Sequence, residues 1–164
     1  MKEKSAIMNE IMMPDIINSV YGKLCCKQRV WRHRSFTLGF GERIFHGNSK
    51  LIDNFWGEWE IRTYCNSWRV IKDQKVICGS NDSVDSIEEL DVALGQIAFG
   101  RILSLTQEAS GIDIRARFDT GIIVDFLTTI SEDDETVSIF CPEVCVTFCP
   151  ADGWLVDKRQ IAET

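Results

Sequence analysis

Residues 111–119 read GIDIRARFD, and apolar and charged residues alternate along them one for one. Ile112, Ile114, Ala116 and Phe118 occupy one side of a two-residue period; Asp113, Arg115, Arg117 and Asp119 occupy the other. Only a β-strand separates such a sequence into two faces, one for a core and one for solvent. Phe118-Asp119-Thr120-Gly121 then turns the chain into the next apolar run, a glycine-containing hairpin signal.

The same grammar repeats over most of the chain. After Gly22, LCCKQRVW, SFTLGF, GEWEIRTY, SWRVIK and KVICG are short segments rich in β-branched and aromatic residues, separated by turn residues. A second series follows, IAFGRILSLTQ, GIDIRARF, GIIVDFLTT, TVSIFC, VCVTFC and WLVD. Residues 41–57 carry three glycines and Asn48 and read as the longest loop. Two helices are predicted. Residues 5–20 space Ile7, Met8, Ile11 and Met12 helically ahead of Pro14. Residues 83–95 place Ile87, Leu90 and Leu94 on one face, with Asp85 as N-cap, Glu88 three residues later and Gly95 as the stop. The expectation is a single α+β domain over residues 1–164, mainly antiparallel. GKLCCKQRVW…SFTLGFG is echoed by GQIAFGRILS…IRARFDTG. The echo admits two readings: two related β units, 20–82 and 95–158, joined by the helix at 83–95, or merely the shared grammar of hairpins.

Catalytic chemistry finds little purchase. CPEVCVTFCP, residues 141–150, spaces Cys141, Cys145 and Cys149 four apart. On one strand those thiols would stand about 13 Å apart, too far for a single ion with Zn–S bonds of about 2.3 Å. They read as small hydrophobes in a wall. The chain has only two histidines, His33 and His46, neither in a nucleophile context, and it lacks a Gly-x-Ser-x-Gly elbow and a phosphate-binding Gly-Lys-Ser/Thr loop. No cofactor, metal or catalytic residue is expected. Seven cysteines, no apolar run of 18 residues and no export signal suit a cytoplasmic protein with reduced thiols and no membrane span.

Charge then directs attention to partners. The net charge is −7, but residues 1–82 hold 13 basic against 9 acidic residues while residues 83–164 hold 5 against 16. The acidic half suits a basic protein partner. Candidate contacts are Glu132, Asp133, Asp134 and Glu135 in a turn and Asp113 and Asp119 on the alternating strand. Trp56, in the 41–57 loop, is the tryptophan placed best for contact, whereas Trp59, Trp68 and Phe118 belong to core patterns. The basic run KQRVWRHR, residues 27–34, interleaves cations with Trp31. It has either a single-strand nucleic-acid reading or an internal one, with snorkelling or paired side chains.

RHRSFTLGFGE, GEWEIRTYCNSWRV and SND together resemble a family of small bacterial β-rich proteins. The matching residues are Ser35, Thr37, Phe40 and Gly41, then Gly57-Glu58-Trp59, Trp68-Arg69-Val70 and Ser80-Asn81-Asp82. Arg34 stands where that pattern has glycine, and Gly39 where an acid is common. Small acidic β-rich proteins of this kind look like the immunity proteins of bacterial toxin–immunity systems, including contact-dependent inhibition. The resemblance implies a non-catalytic immunity protein that binds a basic cognate toxin and occludes its active surface. The alternatives are a general binding or homodimeric assembly module and a single-stranded nucleic-acid-binding β module.

Overall fold

The computed structural model describes residues 8–10, 12–63, 67–108, 113–128 and 135–159. Its strands are β1 (Met8–Glu10), β2 (Cys25–Val30), β3 (Phe36–Phe45), β4 (Phe55–Arg62), β5 (Trp68–Lys72) and β6 (Lys75–Gly79), followed by helix α1 (Ile87–Gly95). After the helix come β7 (Ile102–Gln107), β8 (Ile114–Phe118), β9 (Ile123–Phe126), β10 (Val137–Phe140), β11 (Val144–Cys149) and β12 (Gly153–Lys158). Two sheets result, a seven-stranded one ordered β1-β12-β11-β10-β4-β3-β2 and a five-stranded one ordered β6-β5-β9-β8-β7. Every strand pair is antiparallel.

The sheets pack face to face over one apolar core. Phe36 of β3 stacks on Trp68 of β5 at 4.6 Å between centroids, and Phe40 lies 6.1 Å from Phe118 of β8. Trp59, Trp68 and Phe118 are buried. On β8 the alternation holds: Ile114, Ala116 and Phe118 are buried while Arg115 and Arg117 stand half-exposed on the other face. The turn after it bends at Gly121, whose φ of +83° costs a glycine least.

Four expectations are corrected. The N-terminal helix is replaced by β1, which pairs with β12, and by a 3₁₀ segment at Asp15–Val20 capped by Pro14; the backbone of 8–10 completes a sheet instead of spending its bonds locally. The central helix begins at Ile87 and its N-cap is Ser86, whose side chain accepts from Glu89 N–H, while the Glu89 carboxylate accepts from Asp85 N–H at 2.8 Å. The capping box is thus shifted by one residue, and Gly95 closes the helix without a positive φ. Much of 41–57 is strand: β3 runs to Phe45 and β4 starts at Phe55, with a bulge between Phe40 and Arg43. Finally, CPEVC contains a tight turn. Cys141 N–H donates to Val144 C=O at 2.8 Å, so Cys141 lies across a hairpin from Cys145 and not on its strand.

The two sequence halves are interleaved. Residues 20–82 and 95–158 each supply strands to both sheets, with β4 pairing to β10 and β9 pairing to β5. Their hydrogen bonds correspond. Leu24 and Arg101 form an antiparallel bridge, flanked by Cys25 N–H to Gly100 C=O (2.8 Å) and Ile102 N–H to Lys23 C=O (3.1 Å). Gly41 N–H donates to Leu24 C=O (3.0 Å) and Asp119 N–H to Arg101 C=O (2.9 Å). Matching Cys25 to Ile102 and Phe40 to Phe118 carries each bond onto its counterpart. The bulges match too, at Cys25/Lys27 opposite β3 and at Ile102/Ser104 opposite β8.

Candidate functional site

On the outer face of the larger sheet, Lys27, Gly39, Glu60 and Phe140 lie abreast on four adjacent strands. Gly39 is what lets the row close. A Cβ there would sit 2.9 Å from Lys27 Cβ, so the lysine crosses a bare backbone to reach Glu60. Lys27 Nζ donates to Glu60 Oε1 at 3.3 Å and to Phe55 C=O at 3.2 Å, and both side chains are nearly inaccessible, at 3% and 1% exposure. The Gly57 N–H and the Arg62 guanidinium complete the Glu60 carboxylate's partners. A buried charge survives only when paired and hydrogen-bonded, and Glu60 has two cations and a backbone amide.

Above this row opens a cleft of about 400 Å³, lined by Lys27, Trp31, Arg32, Thr37, Trp56 and Arg62, among others. Its walls are aromatic. Lys27 Nζ is 4.9 Å from the centre of the Trp56 ring and 5.9 Å from that of Trp31, and the Arg62 guanidinium lies between Trp56 (5.5 Å) and Phe140 (4.7 Å). Trp31 Nε1 donates to Thr37 Oγ1 at 2.8 Å, fixing its indole plane. Asp53 also lines the cleft, but both its oxygens are gripped by Arg29, at 2.9 and 3.0 Å, and the Arg29 hydrogen bonds hold its carboxyl below the ordinary value. Arg29 reaches on to Asp91 of α1 at 2.7 Å, and Asp91 also accepts Val30 N–H, closing the β2 edge of the sheet. Beside the cleft the β3–β4 hairpin exposes Ile44, Phe45 and Ile52, the last two by 68% and 74%.

The matching place in the second half is built differently. Arg62 corresponds to Asp125, which is buried and held by Arg115 (2.6 Å) and Arg69 (2.9 Å) on the neighbouring strands. Burial pushes the Asp125 carboxyl up, but the two arginines outweigh it and leave the group below its usual range. This is a closed ladder of charge, whereas the first half keeps an open, aromatic-walled recess.

The sequence candidates fall unevenly. Trp56 lines the cleft. Asp113 Oδ1 accepts Thr128 N–H and Asp119 Oδ1 accepts Arg101 N–H, both at 2.8 Å, so each serves the backbone while remaining at least partly exposed. Glu135 is exposed, and Glu132, Asp133 and Asp134 lie outside the described residues. Of the described acids, Asp113, Asp119 and Glu135 do not line the cleft. Of the run 27–34, Lys27 and Arg29 are internally paired and Arg34 donates to the Ser80 and Asp82 carbonyls. Arg32 and His33 are exposed at the rim. Arg34, standing where the resembling pattern has glycine, adopts φ +57°. Glu60 and Arg62 are not marked by the sequence patterns, and Lys27 and Thr37 enter there only as members of the basic run and of the resembling pattern. The available signal was the alternation in GEWEIR, which sets Glu58, Glu60 and Arg62 opposite the buried Trp59 and Ile61.

The six described cysteines are free, and burial pushes the Cys25 and Cys141 thiols up to about 12 and that of Cys78 to about 11. Among the described residues no group of three or more His, Cys, Asp or Glu is placed to hold a metal ion, and no helix is long and apolar enough to cross a membrane.

Comparison with known protein families, curated proteins and solved structures gives no match. Fold and site by themselves define an antiparallel two-sheet β protein carrying a donor-rich aromatic cleft beside an exposed apolar hairpin.

Proposed function

We propose that this chain is a non-catalytic, cytoplasmic immunity protein that binds a basic cognate toxin domain and covers its working surface. The observation that carries the reading is the β3–β4 hairpin. Ile44, Phe45 and Ile52 stand in solvent, Ile44 faces Trp56 across the hairpin, and Arg32 and Arg43 are exposed, the mixture of apolar anchors, aromatic rings and arginine found at binding hot spots. The acidic second half supplies a long-range field that speeds encounter with a basic partner. The hairpin supplies the anchor. Neutralisation then needs no bond chemistry, only occlusion.

The test is growth rescue in cells expressing the toxin domain encoded beside this gene, together with affinity at two salt concentrations. Phe45→Asp and Ile52→Asp, both on exposed side chains, should leave the unfolding midpoint within about 0.5 kcal/mol of wild type. They should weaken binding by at least about tenfold, as expected when a hot-spot anchor is lost. Full rescue by both variants would move the anchor off the hairpin, and no binding by the unaltered protein would remove the immunity reading. Assembly of two copies through β6, an edge strand exposing Val76 and Ile77, is the second reading; a concentration-dependent mass in light scattering, abolished by Ile77→Lys, would support it.

A further inference from the structure

We infer that the cleft is a binding site for a small, planar, singly charged anion of the aromatic carboxylate class. The inference goes beyond toxin binding and stands on the interior of the cleft alone.

The cleft's side chains still have donors to give. Lys27 has three ammonium protons. Two go to Glu60 and Phe55 C=O, and the next acidic oxygen, Asp53 Oδ2, is 3.9 Å away, beyond hydrogen-bond reach. A cation 97% buried therefore lines the cavity with a proton that has no oxygen or nitrogen acceptor among the described residues. Arg62 spends Nε and Nη2 on Glu60 and keeps Nη1. Buried Thr37 accepts from Trp31 through Oγ1 and keeps its hydroxyl proton. Both carboxylates here are already engaged, since Asp53 belongs to Arg29 and Glu60 to Lys27 and Arg62. A ligand here must bring acceptors.

Charge and shape narrow the class. Lys27, Arg29, Arg32 and Arg62 stand against Asp53, Glu60 and Asp91, a surplus of one positive charge. That surplus matches a monoanion better than a dianionic phosphate ester. A volume of about 400 Å³ lies in the range of small-molecule pockets and far exceeds a bare carboxylate. Trp31 and Trp56 line the cleft and supply aromatic surface for the remainder. The second half lacks this chemistry, because Asp125 there meets two arginines on its own sheet.

The probes are 2-naphthoate, its neutral isostere 2-naphthamide, and phenyl phosphate. Binding is followed by calorimetry and by the indole N–H resonances, assigned with Trp31→Phe and Trp56→Phe. Saturable binding of naphthoate below 1 mM (roughly −4 kcal/mol) is expected, with shifts at Trp31 and Trp56. The amide should be at least about tenfold weaker, because the charge-assisted bonds are lost. Arg32→Ala, at the exposed rim, should weaken naphthoate about threefold without moving the unfolding midpoint, while Lys27→Met should abolish binding if it folds. Equal affinity for acid and amide, shifts confined to other tryptophans, or no saturation would overturn the assignment. Tighter binding of phenyl phosphate would overturn the single charge. The growth-rescue assay reads Phe45 and Ile52, so failure of either proposal leaves the other standing.

Discussion

At the scale of single residues, Gly39 decides the site. Its absent side chain is the space through which Lys27 reaches Glu60. Gly39→Ala should destabilise the fold by about 1–3 kcal/mol, the usual cost of overpacking, measured by urea unfolding. Lys27→Met leaves Glu60 with Arg62 and one amide, so its cost should fall toward the lower end of the 3–5 kcal/mol expected for breaking a buried pair. Lys27→Met combined with Glu60→Gln should recover part of that loss; a double variant no better than Lys27→Met would show that the carboxylate charge is not what the lysine compensates. Sequence reading could see the cations of 27–34 but not their acids. Asp53, Glu60 and Asp91 lie 24, 33 and 62 residues from their partners in that run, and no local pattern announces such pairings. Gly39 itself was visible only as a departure from a pattern, with nothing in the sequence to show that its neighbour across the sheet would be a lysine.

At the scale of elements, alternation and turn chemistry made the strands legible, and register was what they could not supply. β2 to β12 each overlap an apolar segment because β-branched and aromatic runs bounded by turn residues mark strands, although β3 and β4 run on into 41–57. β1 was misread because Met8, Asn9 and Glu10 pair with a strand almost 150 positions away in the chain, and a three-residue edge strand carries no period of its own. The helix cap slipped by one because Asp85 and Ser86 are both good caps, and only geometry shows that Ser86 accepts the Glu89 N–H. Ser86→Ala should therefore cost about 1 kcal/mol, and Asp85→Ala, which keeps its backbone N–H bond to Glu89, clearly less; thermal unfolding of the two variants separates them. The hairpin hidden in CPEVC places Cys141 among buried side chains. Thiols raised to about 11 or 12 at Cys25, Cys78 and Cys141 stay protonated in the fold when those of the unfolded chain ionise near 8.5. Their contribution to stability is whole below that unfolded value and is lost as pH climbs toward the folded ones. The urea midpoint should fall between about pH 8.5 and 11, and Cys78→Ala should flatten that slope. The depressed carboxyls of Asp53 and Asp125 have the opposite sign: their contribution holds above the unfolded aspartate value near 3.9 and fades as pH drops through the folded one.

At the scale of the whole molecule, a weak echo between the two halves is all that the sequence offers, and its register fails in the first strand while the second strand sets Phe40 with Phe118. GKLCC was set against GQIAF, whereas the hydrogen bonds match Cys25 with Ile102. The match survives in backbone geometry and in the buried pair Phe40 and Phe118 but is lost on the outer face, where Arg62 answers to Asp125 and Thr37 to Arg115. Because each sheet draws on both halves, neither can melt alone. Circular dichroism and tryptophan fluorescence should report one coincident transition, and two separated transitions would contradict the shared core. The crossing of β4 to β10 and of β9 to β5 also makes the chain divisible in one particular way. Cut between residues 84 and 85, each piece would carry three naked strand edges, β1, β4 and β5 on one and β12, β10 and β9 on the other, whose complements exist only on the other piece. Such halves are the two parts of a lock made to be assembled: insoluble apart, they should reconstitute when expressed together, and either half fused to a fragment of a reporter would light up only on meeting its mate.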